Sequence, residues 1–214
     1  MRRSQLLSTA LPAARFALCA LVASGLMTAP AAANAAPTKT LTVAITAQVE
    51  LIDDPFGILC ETLQPGEVIT GTYTYTLGTP DSNGVDFVAD YFYTAAPNGI
   101  SLNLGGAITG TDPGNTLFLV EIVDDYPSDG SDNYLLRSYN NVPLSCGSPV
   151  THIAWQLDDP TGDALQNTAL PKKPPHLSDF QSVFGLTVEG RDPSDPYGRG
   201  YFIRAHVTSA TLVK

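Results

Sequence analysis

A chain whose side chains change sides at every residue has few ways to bury its apolar surface. In "LTVAITAQVEL", residues 41–51, Leu41, Val43, Ile45, Val49 and Leu51 share one face, and Thr42, Thr46, Gln48 and Glu50 the other. That period of two marks a half-buried strand. "VITGTYTYTL", residues 68–77, repeats it, with Ile69, Tyr73, Tyr75 and Leu77 on one side and four threonines on the other. Its β-branched and aromatic content favours the same conformation. Further strands are expected at 86–93, 99–104, 116–123, 133–139, 150–158, 182–189 and 200–213. Clusters such as "GTPDSNG", "DPGN", "YPSDGSDN", "DDPTG" and "RDPSDPYG" separate them, rich in residues that set turn geometry. Only 176–181 offers a helical turn. These features predict an all-β chain: a single jelly-roll-like β-sandwich of about nine strands, or else a closed barrel. The first and last strands are expected in the same sheet.

Residues 1–35 read as a signal peptide. Arg2, Arg3 and Arg15 give a positive start, residues 16–29 are almost wholly apolar, and Ala33-Asn34-Ala35 has the small-x-small form of a cleavage site. Cleavage near Ala35 would leave one domain, 36–214, exported to the periplasm or beyond, with no membrane span. Arg2-Arg3 is followed by Ser-Gln-Leu-Leu, which fits a twin-arginine signal poorly and favours the general secretory route. Taking those three arginines from the 11 Lys and Arg leaves 8 against 21 Asp and Glu, a net charge of −13 on the mature chain. Such a surface repels phosphate backbones and argues against a nucleic-acid partner. Cys60 and Cys146, the two cysteines beyond the leader, form the expected pair for a disulfide in an oxidising compartment.

"GTYTYTLGTPDSNGVDFVADYF" and "IAWQLDDPTGDALQNTALPKKPPHLSDF" resemble blocks found in a set of exported bacterial β-rich proteins of the PEP-CTERM-associated type. The first has the Tyr-Thr-Tyr strand followed by Thr-Pro-Asp-Ser-Asn. The second has Trp-x-Leu-x-Asp followed by Ala-Leu-Pro and Pro-Pro-x-Leu. The resemblance implies export and a β-rich domain and brings no catalytic residues. Many such proteins end in a sorting tail; this sequence ends in "SATLVK", an ending that favours release.

Four candidate chemistries follow from the residues. Asp124, Asp125, Asp129 and Asp132, with Asn133, are oxygen donors of the type calcium takes, though without EF-hand spacing. The same residue types serve a hairpin loop, since Asp and Asn cap their own backbone. Asp81, Asn83 and Asp86, and Asp158, Asp159 and Asp163, make two further acidic turns. Calcium is therefore the one candidate cofactor. His152 and His206 fall on the polar faces of their strands and would form a metal pair only if those strands were neighbours. Glu121 and Glu189 would serve a glycosidase only if they flanked one cleft at about 5–10 Å. Tyr91, Tyr93 and Tyr139 are the candidate ligand-binding rings for a neutral sugar, whereas Trp155 aligns with Ile153 and Leu157 and belongs in the core. No catalytic residue is assigned. The expected role is structural, adhesive or interactive at the cell exterior, with polysaccharide or an envelope protein as partner. A carbohydrate-binding module is the alternative, and a secreted glycoside hydrolase or lyase the third reading.

Overall fold

In the computed structural model, residues 39–60, 63–181, 185–195 and 197–213 are described. The signal-peptide reading and its cleavage site lie outside them. Eleven strands make up about half of the described residues: β1 Thr40–Asp53, β2 Val68–Thr76, β3 Val88–Tyr93, β4 Gly99–Leu104, β5 Ala107–Thr111, β6 Phe118–Val123, β7 Asp132–Ser138, β8 Asn141–Val142, β9 His152–Asp159, β10 Gly185–Arg191 and β11 Gly200–Leu212. The one helical element among the described residues is a 3-10 turn, Leu177–Asp179, inside the stretch expected to hold it. The strands form a single antiparallel sheet in the order β3-β6-β7-β9-β10-β11-β1-β2-β4-β5-β8. The terminal strands lie in the same sheet, as expected, and the structure adds that β1 and β11 pair directly.

Two expectations change. Nine strands become eleven, because the short β5 and the two-residue β8 carry too little period to be seen in sequence. The two facing sheets of a sandwich become one continuous sheet, curled into a half-barrel. The curl is visible in its contacts. β2 and β7 stand five strands apart in the order, about 24 Å in a flat sheet. Yet the Tyr134 hydroxyl on β7 donates to the Tyr73 hydroxyl on β2 at 3.2 Å. Past Ser138 the chain leaves β6 and crosses to β5: Tyr139 N–H donates to Leu117 O, whereas Asp112 N–H donates to Asn140 O.

The inner face holds the core. Leu41, Val43, Ile45, Val49, Ile69, Leu102, Leu104, Val120, Ile122, Leu136, Ile153, Leu157, Val188 and Ile203 pack around Trp155, Tyr73, Tyr75 and Tyr134. The Trp155 ring lies 5.1 Å from Tyr73 and 5.8 Å from Tyr134, centroid to centroid, within the range where aromatic pairs add to simple area burial. Burial pushes the Tyr73, Tyr75 and Tyr134 hydroxyls far above their ordinary range. Segment 160–181 covers their end of the sheet: Pro171 O accepts from Tyr75, Thr168 O accepts from Tyr91, and Leu170 and Phe180 enter the core.

Side chains that look chemical in sequence fasten these parts. Cys60 and Cys146 are disulfide-bonded across 86 residues, a link nominally worth about 4 to 5 kcal/mol in the chain-entropy model. The Thr-Pro-Asp-Ser-Asn turn caps the open edge of β3 at Asp90. Asp81 Oδ1 accepts the Asp90 N–H at 2.9 Å, Ser82 N–H and Oγ both donate to Asp90 O at 2.9 Å, and Asn83 Nδ2 donates to Asp90 Oδ2. Among the described residues no helix is long and apolar enough to cross a membrane.

Candidate functional site

The outer face of β7, β9, β10 and β11 holds a groove, and its residues explain why. Arg137 pairs with Ala154 across the β7–β9 ladder, and Ala154 with Thr187 across β9–β10. Those small side chains, with Gly185, form a floor. Around it stand longer ones: Arg137, His152, Gln156, Glu189 and Phe202 line a cavity of about 330 Å³. A second cavity of about 400 Å³ shares Glu189 and Phe202 with the first and continues past Arg191 to Asp53, Pro55, Phe56 and Gly198. The two make one groove, running from the middle of the sheet to the β10–β11 turn.

Aromatic rings stand at both ends. The Tyr139 ring lies 5.6 Å from that of His152. At the far end Phe56 is 56% exposed and carries the Arg199 guanidinium 5.7 Å above its ring; Tyr197, 86% exposed, projects from the same turn. Asp192 and Asp195 hold that turn, each accepting backbone N–H groups two residues on. Hydrogen bonds from Ser194 keep Asp192 below the usual carboxylate range, and the Arg199 side chain does the same for Asp195.

Burial sets the charge state of one groove residue, His152. It depresses the His152 pKa, and Arg137 adds to the effect, while Glu189, 3.8 Å away, opposes it. The ring is therefore neutral near pH 7. Glu121, on the same outer face two strands from Ala154, is raised by burial first. Arg137 pulls it down and Asp90, its cross-strand partner, pushes it up. A different hollow opens on the outer face of β2, β4 and β5. Thr70, Thr72, Thr74, Ser101 and Asn103 line it, with Pro97 and Pro113 at one end and Ile108 at the other, and none of its lining residues is ionisable.

The acidic turn divides its carboxylates among backbone amides. Asp132 is fully buried; its Oδ1 accepts the Asp125 N–H at 3.0 Å and its Oδ2 the Leu165 N–H at 2.7 Å. Asp129 Oδ1 accepts from Ser131 N–H and Oγ, which lower its pKa. Asp124 is raised, by burial first and then by the charges of Asp132 and Asp125, while Asp125 itself takes a left-handed φ of 54°. Asp159, opposite Asp132 in the ladder, accepts from the N–H groups of Thr161, Asp163 and Ala164; burial raises it, but these bonds outweigh that and hold it low. Asp158 accepts from Asn133 and Gln156. Among the described residues no group of three or more His, Cys, Asp or Glu is placed to hold a metal ion.

The other expected residues are placed as follows. Tyr91 and Tyr93 turn inward, 6% and 5% exposed, and their hydroxyls donate to Thr168 O and Thr76 O. Burial pushes Tyr93 up to about 12. Phe92 between them is the ring on the outer face. Tyr139 packs its ring beside His152, a groove residue, without itself lining the cavity. His152 and His206 are separated by β10, and His206 lies four residues beyond Phe202, the residue level with Glu189 and His152, so the rings do not sit side by side. Glu121 and Glu189 share the outer face but stand three strands and four residues apart, roughly 20 Å, too far to flank one glycosidic bond. Sequence reasoning missed Phe56, Tyr197 and Arg191. The first two lie in turns, where no period applies. Comparison with protein-family models, with curated proteins and with solved structures finds no match to this chain.

Proposed function

We propose that this chain is an exported, non-enzymatic domain with an adhesive or structural role at the cell exterior, acting by binding polysaccharide along the outer-face groove. The observation that carries this reading is the groove itself. Arg137, His152, Gln156, Thr187 and Glu189 offer donors and acceptors over a floor of small residues, with Phe202, Tyr139 and Phe56 beside them. Sugar rings present hydroxyls at their edges and C–H groups on their faces, so they need that combination. The disulfide is compatible with an oxidising compartment and supports export. The resemblance to PEP-CTERM-associated proteins supports the same location. The wide separation of Glu121 from Glu189 supports binding without cleavage.

Affinity electrophoresis of the purified protein through gels containing soluble polysaccharides tests the proposal. At least one polysaccharide should retard it, and Glu189→Ala should abolish the shift while the melting temperature holds. Free migration in every gel, or a retardation that ignores Glu189→Ala, would overturn it.

A further inference from the structure

The basic residues of this acidic chain are segregated. All four arginines among the described residues, Arg137, Arg191, Arg199 and Arg204, lie on β7, β10, β11 or the β10–β11 turn; the three lysines among the described residues, Lys39, Lys172 and Lys173, lie elsewhere. Two of the arginines are engaged, Arg199 with Asp195 and Arg204 with Glu50. Arg137 and Arg191 make no ion pair within 4 Å among the described residues, and both line the groove. Resting on the polysaccharide reading, we infer that the ligand is an anionic polysaccharide whose acidic groups, carboxylate or sulfate, are taken by Arg137 and Arg191.

Guanidinium is the chemistry suited to this. Its planar fork meets a carboxylate or sulfate through two parallel hydrogen bonds and is more weakly hydrated than an ammonium. Spacing adds a second requirement. Thr187 is level with Arg137 two strands away, and Arg191 is four residues further along. The two guanidinium stems are thus about 16 Å apart. A single acidic sugar meets one of them; a longer chain meets both. Linking two contacts in one molecule raises affinity steeply once the chain spans the gap. Glu189, between them, is left to accept from sugar hydroxyls.

The net charge of the chain makes the test sharp, because a surface this acidic repels polyanions in general. Retention by a polyanion must come from a local site. The protein is assayed by electrophoresis and titration calorimetry against a polyuronate, a sulfated glucan and the uncharged glucan. Retention is expected with at least one of the first two and not the third. Arg137→Gln and Arg191→Gln should each weaken binding about tenfold and the double variant about a hundredfold, with melting temperatures unchanged. Uronate dimers should bind far more weakly than oligomers long enough to span both arginines. Equal binding of the uncharged glucan, unaffected by the two arginine variants, would overturn this inference and leave the polysaccharide reading standing. Binding to none of the three and to no other polysaccharide would remove both.

Discussion

The charged groove on β7–β11 and the uncharged hollow on β2, β4 and β5 arise from the same alternation, on the same outer surface of one sheet. They differ in what their side chains can specify. The hollow is lined by short hydroxyl and amide groups, and one of them, Thr74, shares a hydrogen bond at 3.0 Å with Thr42 across the β1–β2 ladder. A hydroxyl donates and accepts with equal ease, so a row of threonines gives a ligand little reason to choose one orientation. In the groove, long side chains of opposite charge converge over small ones. Arg137 only donates, the Glu189 carboxylate accepts, and the neutral His152 does one at each nitrogen. Depth is shared; polarity with direction is found on one side alone.

The largest effect that would break this contrast is steric. Thr187→Trp fills the groove floor and should lower polysaccharide affinity at least a hundredfold in titration calorimetry, whereas Thr72→Trp fills the uncharged hollow and should leave affinity within twofold. The reverse result would move the site to the other half of the sheet. Acid should separate the halves next. The folded-state pKa of His152 is depressed, so its contribution to stability is present above about pH 6.5, the unfolded value, and is lost as pH falls through the folded value. The melting-temperature difference between wild type and His152→Gln should therefore shrink below pH 6.5, and a constant difference would mean that the ring does not titrate. The smallest effect concerns Glu121, whose pKa is raised. Its contribution is present below about pH 4.3 and lost as pH rises through the folded value. Glu121→Gln, which copies the protonated form, should gain on the order of half a kcal/mol at pH 7 after solvent screening and nothing in acid, as read from urea midpoints.

Local pattern carried most of the strand positions. Gly99–Leu104 was legible to the residue, because Ile100, Leu102 and Leu104 alternate with polar positions between two turns. β5 was not, since "AITGT" is five residues long and half of its inward face is Thr109. The continuous sheet was invisible because period two states which residues share a face and says nothing of which strands meet. That limit also governs the site. Alternation separates Phe92 from Tyr91 and Tyr93 without saying which side is the core. It puts Phe202, Arg204 and Glu189 among the polar positions, yet their arrangement around Ala154 and Thr187 depends on the register of four strands. Asp132 shows a different difficulty. A carboxylate that caps Asp125 and Leu165 has the same letter as one that binds an ion, and Leu165 is 33 residues away.

The turn formed by Asp81, Ser82 and Asn83 bears on how such domains tolerate crowding. With the Asp90 N–H and C=O already occupied, a copy arriving alongside β3 cannot run its ladder through that residue. An interrupted ladder lowers the tendency of exposed strands to fuse, so the turn works against edge-to-edge growth at β3.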